Sequence, residues 1–175
     1  MKTKIISTAL LLAVSLFANA GEPAKTSTKP ASPEFERMKT LVGTWTGKTD
    51  MGEGPVDMTI RYRLIAAGSV LEERCMEGTP NEMVMMYFDN PDGKLAMTHY
   101  CMMGNRPAMK VNGSDEKSIT FDFDAANCSI DPKKESHMHG MTIRFEDADT
   151  ISTSCKAIMD GKEMPEHATT LKRVK

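Results

Sequence analysis

Aromatic side chains are scarce in this 175-residue chain, which has one Trp, three Tyr and six Phe. A core with so few rings is filled largely by aliphatic and thioether groups, and we read the 16 Met chiefly as such filling. Alternate members of Met83-Val84-Met85-Met86 point to opposite faces of a strand, so they cannot all serve one ion. Charge of one sign is also lacking: 22 basic and 24 acidic residues leave a formal charge of −2. That balance gives no footing for nucleic acid or an anionic membrane as partner. Beyond Phe17 no apolar run approaches the length of a membrane span. The chain has no Gly-rich phosphate loop, no Gly-x-Ser-x-Gly elbow and no His-Glu-x-x-His. No catalytic role is therefore assigned.

What is present begins with an address. Lys2 and Lys4, the apolar stretch from Ile5 to Phe17, and Ala18-Asn19-Ala20 have the three parts of a secretory signal peptide, residues 1–20. Its removal takes two positive charges away, changing −2 to −4, and implies a periplasmic or secreted protein. Residues 21–33, rich in Pro, Ser, Thr, Lys and Ala, are expected to be a flexible tether, and residues 34–175 one domain. Four cysteines, Cys75, Cys101, Cys128 and Cys155, match neither a zinc ribbon nor a redox Cys-x-x-Cys motif. In an oxidising compartment they permit two disulfides, although buried free thiols fit a domain of this size equally well. Cys75 and Cys101 are expected inside, and any bridge is expected between Cys128, on a long loop, and Cys155.

From Gly43 onward apolar residues recur with period two, and turn clusters arrive every dozen residues or so. This rhythm predicts about ten antiparallel strands, centred on Trp45, Ile60, Leu71, Met85, Thr98, Met109, Phe121, Ile143, Thr153 and Leu171. Closing them into an all-β, up-and-down barrel hides the strand edges most completely, with a sandwich as the alternative. Gly43-Thr44-Trp45 lets the chain bend while the indole plugs one end, and a short helix over Glu34 to Lys39 caps it. Pairing of the last strand with the first would lay Arg173 over Trp45; otherwise Arg173 is a solvated terminal charge.

Several blocks carry a resemblance: Phe35-Glu36-Arg37-Met38 through Leu41-Val42-Gly43-Thr44-Trp45-Thr46-Gly47; Gly78 to Val84; Thr98-His99-Tyr100-Cys101 with Gly104-Asn105-Arg106-Pro107; and His137-Met138-His139 before Phe145 to Asp149. Together they resemble a family of small exported bacterial proteins of unknown function, itself similar to lipocalins and fatty-acid-binding proteins where Gly-x-Trp opens the first strand. The likeness spans nearly the whole domain, and Thr-His-Tyr-Cys is its most distinctive block. It implies a lipocalin-like barrel and supplies no activity, cofactor or catalytic residue.

Strand parity then selects the side chains that share the interior. Met141, Ile143 and Phe145 form the apolar face of one strand, and that face extends back through His139 and His137. Leu95, Met97, His99 and Cys101 form another such face, and Leu71, Glu73 and Cys75 a third. Across the turn at Asp147 to Asp149, Cys155 is expected beside His139. Glu73, His99, Cys101, His137, His139 and Met141 are thus the candidate lumen residues. They admit three readings: a pocket for a small, partly apolar ligand in a monomeric barrel; a copper or zinc site built from His99, Cys101, His137 and His139, with Glu73 in reserve; or core hydrogen-bonding groups with no ligand. A haem held by His99 or His167 is a variant that no local signal singles out.

Overall fold

The computed structural model describes residues 29–50, 52 and 54–175; the expected signal peptide and most of the tether lie outside these described residues. Strands β1 (Gly43–Asp50), β2 (Pro55–Ile65), β3 (Val70–Cys75), β4 (Met83–Asp89), β5 (Leu95–Tyr100), β6 (Ala108–Ser114), β7 (Ser118–Phe123), β8 (His137–Asp147) and β9 (Thr150–Met159) follow one another as an antiparallel meander. The last long strand, β11 (His167–Arg173), lies between β9 and β1, so the sheet closes on itself as a ten-stranded barrel. The two-residue β10 (Lys162–Glu163) is an appendage on β9 that the residue pattern does not announce. All ten expected strand centres fall inside barrel strands.

The alternation that predicts the strands also fills the barrel. Ile60 and Tyr62, Leu71, Met85 and Tyr87, Met97, Met109, Ile119 and Phe121, Ile143 and Leu171 form one contiguous buried cluster. Successive side chains on each strand face opposite sides, so burying one set removes a continuous apolar surface from water.

The N-terminal end of the barrel is sealed. Helix α1 (Pro33–Lys39) starts at Ser32, whose Oγ accepts the Phe35 N–H at 3.0 Å, with Pro33 in the first turn. Asp89 in turn accepts from the Ser32 N–H at 2.6 Å and hydroxyl at 2.7 Å. The last residues of the expected tether are therefore anchored, and Lys29 donates to the Pro91 carbonyl at 2.7 Å. Phe35 and Met38, three residues apart on one helix face, are buried in the barrel end. Arg37 reaches across to the carbonyls of Asp115 and Glu116 and lies 4.3 Å from the Phe145 ring centroid.

Trp45 lies beneath this cap, donating its indole N–H to the Leu41 carbonyl at 2.7 Å. The Arg173 guanidinium sits 4.2 Å above the indole ring and donates to the carbonyls of Val42 and Thr40, both at 2.8 Å. Gly43 has φ +132°, a conformation open to glycine, and a Cβ there would lie 3.1 Å from Arg173 Nη1. Gly47 meets β11 so closely that a Cβ would lie 2.2 Å from the Thr170 carbonyl oxygen.

The opposite end is bordered by the longer connections, residues 76–82, 101–107 and 124–136. Two irregularities lie on strands that reach it: β6 shifts register between Val111 and Gly113, and β8 between Met138 and Gly140. All four cysteines are free thiols, so the expected Cys128–Cys155 bridge is not formed. Cys128 Sγ contacts the Arg106 carbonyl at 3.5 Å, whereas Cys155 belongs to the barrel wall and pairs with Met141. Among the described residues, no helix is long and apolar enough to cross a membrane.

Candidate functional site

One transverse row of the sheet brings polar groups into the core. Tyr62 on β2 pairs with Glu73 on β3, Glu73 with Met85 on β4, and Met85 with His99 on β5. Directly paired residues share a face, and all four are buried. Tyr87, two residues beyond Met85, donates its hydroxyl to Glu73 Oε2 at 2.6 Å and lies 3.9 Å from Met141 Sδ. Its ring packs on Phe121 at 5.6 Å, which fixes the hydroxyl's aim.

Burial sets the protonation states of this row. Removal from water pushes the Glu73 carboxyl up to about 7 against the opposing pull of the Tyr87 and Tyr62 hydroxyls. Burial, reinforced by the Glu73 charge, pushes the Cys75 and Cys155 thiols up to about 12. The same effect drives His99 down to about 4, so its imidazole is neutral near pH 7. Neither ring nitrogen of His99 has a hydrogen-bond partner. The Tyr62 hydroxyl also has none, although it lies near enough to Glu73 to influence its carboxyl. Three buried polar atoms without partners in one row depart from the ordinary rule that such groups are paired.

The interior around this row is closely packed: Tyr62, Glu73, Tyr87, His99 and Phe121 are each at most 2% exposed. Two grooves lie outside the core. One, of about 480 Å³, runs between α1, Ala67-Gly68-Ser69 and Asp89-Asn90-Pro91. The other, of about 370 Å³, lies over Thr59, Arg61, Arg74 and Glu77, where Arg61 donates to Glu77 at 2.6 Å.

The remaining sequence candidates separate from the Glu73 row. His137 is fully buried against the Phe123 ring, with centroids 4.5 Å apart, whereas His139 is exposed and not a lumen residue. The inserted residue between Met138 and Gly140 breaks the parity that would have carried His139 and His137 onto the Met141 face. Cys155 pairs with Met141 rather than lying beside His139, in the register that runs back from the 147–150 turn. Cys101 lies just beyond β5, partly exposed, where its N–H donates to the Asn105 carbonyl at 3.1 Å. His167, the other haem candidate, is exposed opposite Cys155 on β11. Among the described residues no three His, Cys, Asp or Glu side chains come close enough to hold a metal, so His99, Cys101, His137 and His139 do not form one coordination set. Tyr62 and Tyr87 are interior partners that the sequence analysis did not name; their shared parity with Ile60 and Met85 is the signal that finds them.

No family model and no curated protein matches the sequence. Among solved structures the chain is similar to a protein of unknown function of the DUF3598 family from Nostoc punctiforme, at 12% identity and a TM-score of 0.54. That match covers 78% of this chain and 49% of the other, so the chain spans about half the length of that protein. At this identity the likeness concerns the fold alone. A redesigned β-barrel matches at 10% identity and a TM-score of 0.36 over 78% of this chain and 94% of its own, too distant to carry an argument.

Proposed function

We propose that this chain is an exported, monomeric, lipocalin-like binding protein whose interior takes a small, partly apolar molecule, with polar atoms of the ligand meeting His99 and Tyr62. The observation that supports this most strongly is the unpartnered state of both His99 nitrogens in the buried core, with the Tyr62 hydroxyl on the same row lacking a partner of full hydrogen-bond geometry. Each such group costs about 1–3 kcal/mol when left unmade, and a bound hydrogen-bonding partner removes that cost. The neutral imidazole offers one donor and one acceptor, and the hydroxyl can serve as either. A ligand carrying a hydroxyl, carbonyl or amide on an apolar frame has the matching chemistry.

Room for it comes from displacement. Met85, Met97, Met109 and Met141 all line the core, and unbranched thioethers change rotamer at little cost. Access is from the loop end, because α1, Arg37 and Arg173 obstruct the other.

Two measurements test this function. Native mass spectrometry of protein taken from its own host is expected to show a small-molecule adduct released on denaturation. The apolar fluorophore anilinonaphthalene sulfonate is expected to bind wild-type protein and to lose that binding in His99→Phe. The same variant should be more stable by about 1–3 kcal/mol, since it replaces two unmet polar atoms with ring carbon. A bare mass together with no dye binding by the wild type would refute the proposal.

A further inference from the structure

The bulge in β8 gives two histidines an arrangement that a regular strand does not impose. Residues two apart on an extended chain share a face but are separated by about 6.5–7 Å along the strand, which need not bring their polar atoms together. Here His137 Nε2 and His139 Nδ1 lie 3.1 Å apart. The irregular register between Met138 and Gly140 accompanies this approach. Phe123 packs against both imidazoles, at centroid separations of 4.5 Å and 5.8 Å.

The other side of His137 determines what the pair can do. Its Nδ1 is 2.7 Å from the Glu135 carbonyl oxygen. A carbonyl only accepts, so Nδ1 carries the proton, and the Nε2 lone pair faces His139 Nδ1 and accepts its N–H. A backbone carbonyl orienting one nitrogen while the other presents its lone pair is the usual support of a metal-binding histidine. His137 is buried and fixed, whereas His139 is exposed, so an ion arriving from solvent has a path to the pair.

We propose that His137 Nε2 and His139 Nδ1 form a two-histidine seat for one Zn²⁺ or Cu²⁺ ion at the loop end of the barrel, separate from the interior row of Glu73 and His99. Two nitrogens on a tetrahedral zinc ion, each about 2.0–2.1 Å from the metal, lie about 3.3 Å apart, so the present separation needs only a slight opening. Imidazole pairs favour zinc and copper over magnesium and calcium. Coordination requires His139 to carry its proton on Nε2 in place of Nδ1, so that the two facing nitrogens both present lone pairs to the ion. With no third His, Cys, Asp or Glu close enough to complete a cluster among the described residues, the remaining positions on the ion are open to water or an external donor.

The test uses the untagged chain, titrated calorimetrically with zinc chloride and, separately, copper chloride, with magnesium chloride as the control. One ion per chain is expected, with no magnesium heat. His139→Ala, at an exposed position and with an unchanged melting curve, should weaken zinc and copper binding by more than the roughly tenfold that loss of an orienting group costs. His167→Ala, also exposed, should leave binding intact. No saturable zinc or copper heat, or binding that survives His139→Ala unchanged, overturns the assignment.

Discussion

Glu73 and His99 stand on the same interior row and respond to acid in opposite senses. The folded chain raises Glu73 from 4.5 to about 7, so it binds that proton more tightly than the unfolded chain does, and this contribution to stability is lost as pH rises through the window. His99 falls from 6.5 to about 4, so the unfolded chain binds its proton more readily and stability is lost as pH drops from 6.5 towards 4. Each effect is of the order of 3 kcal/mol across its own window, and between pH 4.5 and 6.5 they oppose each other. Tyr62, Tyr87, Cys75 and Cys155 face Glu73 and remain protonated through this range, their pKa values all raised by burial. Urea unfolding of the wild type should therefore vary little with pH between 4.5 and 6.5 on account of this pair. Glu73→Gln should become more stable as pH rises there, and His99→Phe less stable as pH rises towards 7. Identical slopes in all three proteins would contradict the burial argument. Parity alone places Glu73 and His99 in the core. Their protonation depends on the surrounding packing, which a single strand's pattern does not contain.

At the level of elements, the β1–β11 seam is the most exacting contact. Gly47 packs against the backbone of Thr170, so a side chain there must push two strands apart rather than displace a rotamer. Gly47→Ala is expected to cost about 3 kcal/mol by chemical denaturation, the upper end of the usual range for overpacking. An unchanged midpoint would show that the seam yields. The ten long strands are legible because each keeps an unbroken alternation over its middle. The bulge is not, because in His137-Met138-His139-Gly140-Met141 apolar and polar residues fit either frame, and one added residue reverses every assignment before it. That single insertion accounts for the expectation that His137 and His139 share a pocket with His99. The missed β10 has a simpler cause, since two residues are too few to show a period.

For the whole molecule, closure determines which groups meet solvent chemistry. The thiolate is the reactive form of cysteine, and Cys75 and Cys155 are held near 12 by burial and by Glu73. Iodoacetamide at neutral pH should therefore modify Cys101 and Cys128 first, the partly buried Cys155 more slowly, and the buried Cys75 only when denaturant is added. Mass spectrometry of the labelled peptides checks the order, and early labelling of Cys75 would indicate a barrel that opens readily. The expected disulfide is not formed: Cys155 is held in a wall strand between Met141 and His167, whereas Cys128 lies in the 124–136 connection against the Arg106 carbonyl.

The contact between Thr40 and Arg173 joins residues 133 positions apart. A chain emerging N-terminus first can assemble the early hairpins, but it cannot complete the ring until residue 173 is free to swing back. A version truncated before β11 would leave β1 and β9 as bare edges, the kind of surface on which chains join one another into aggregates.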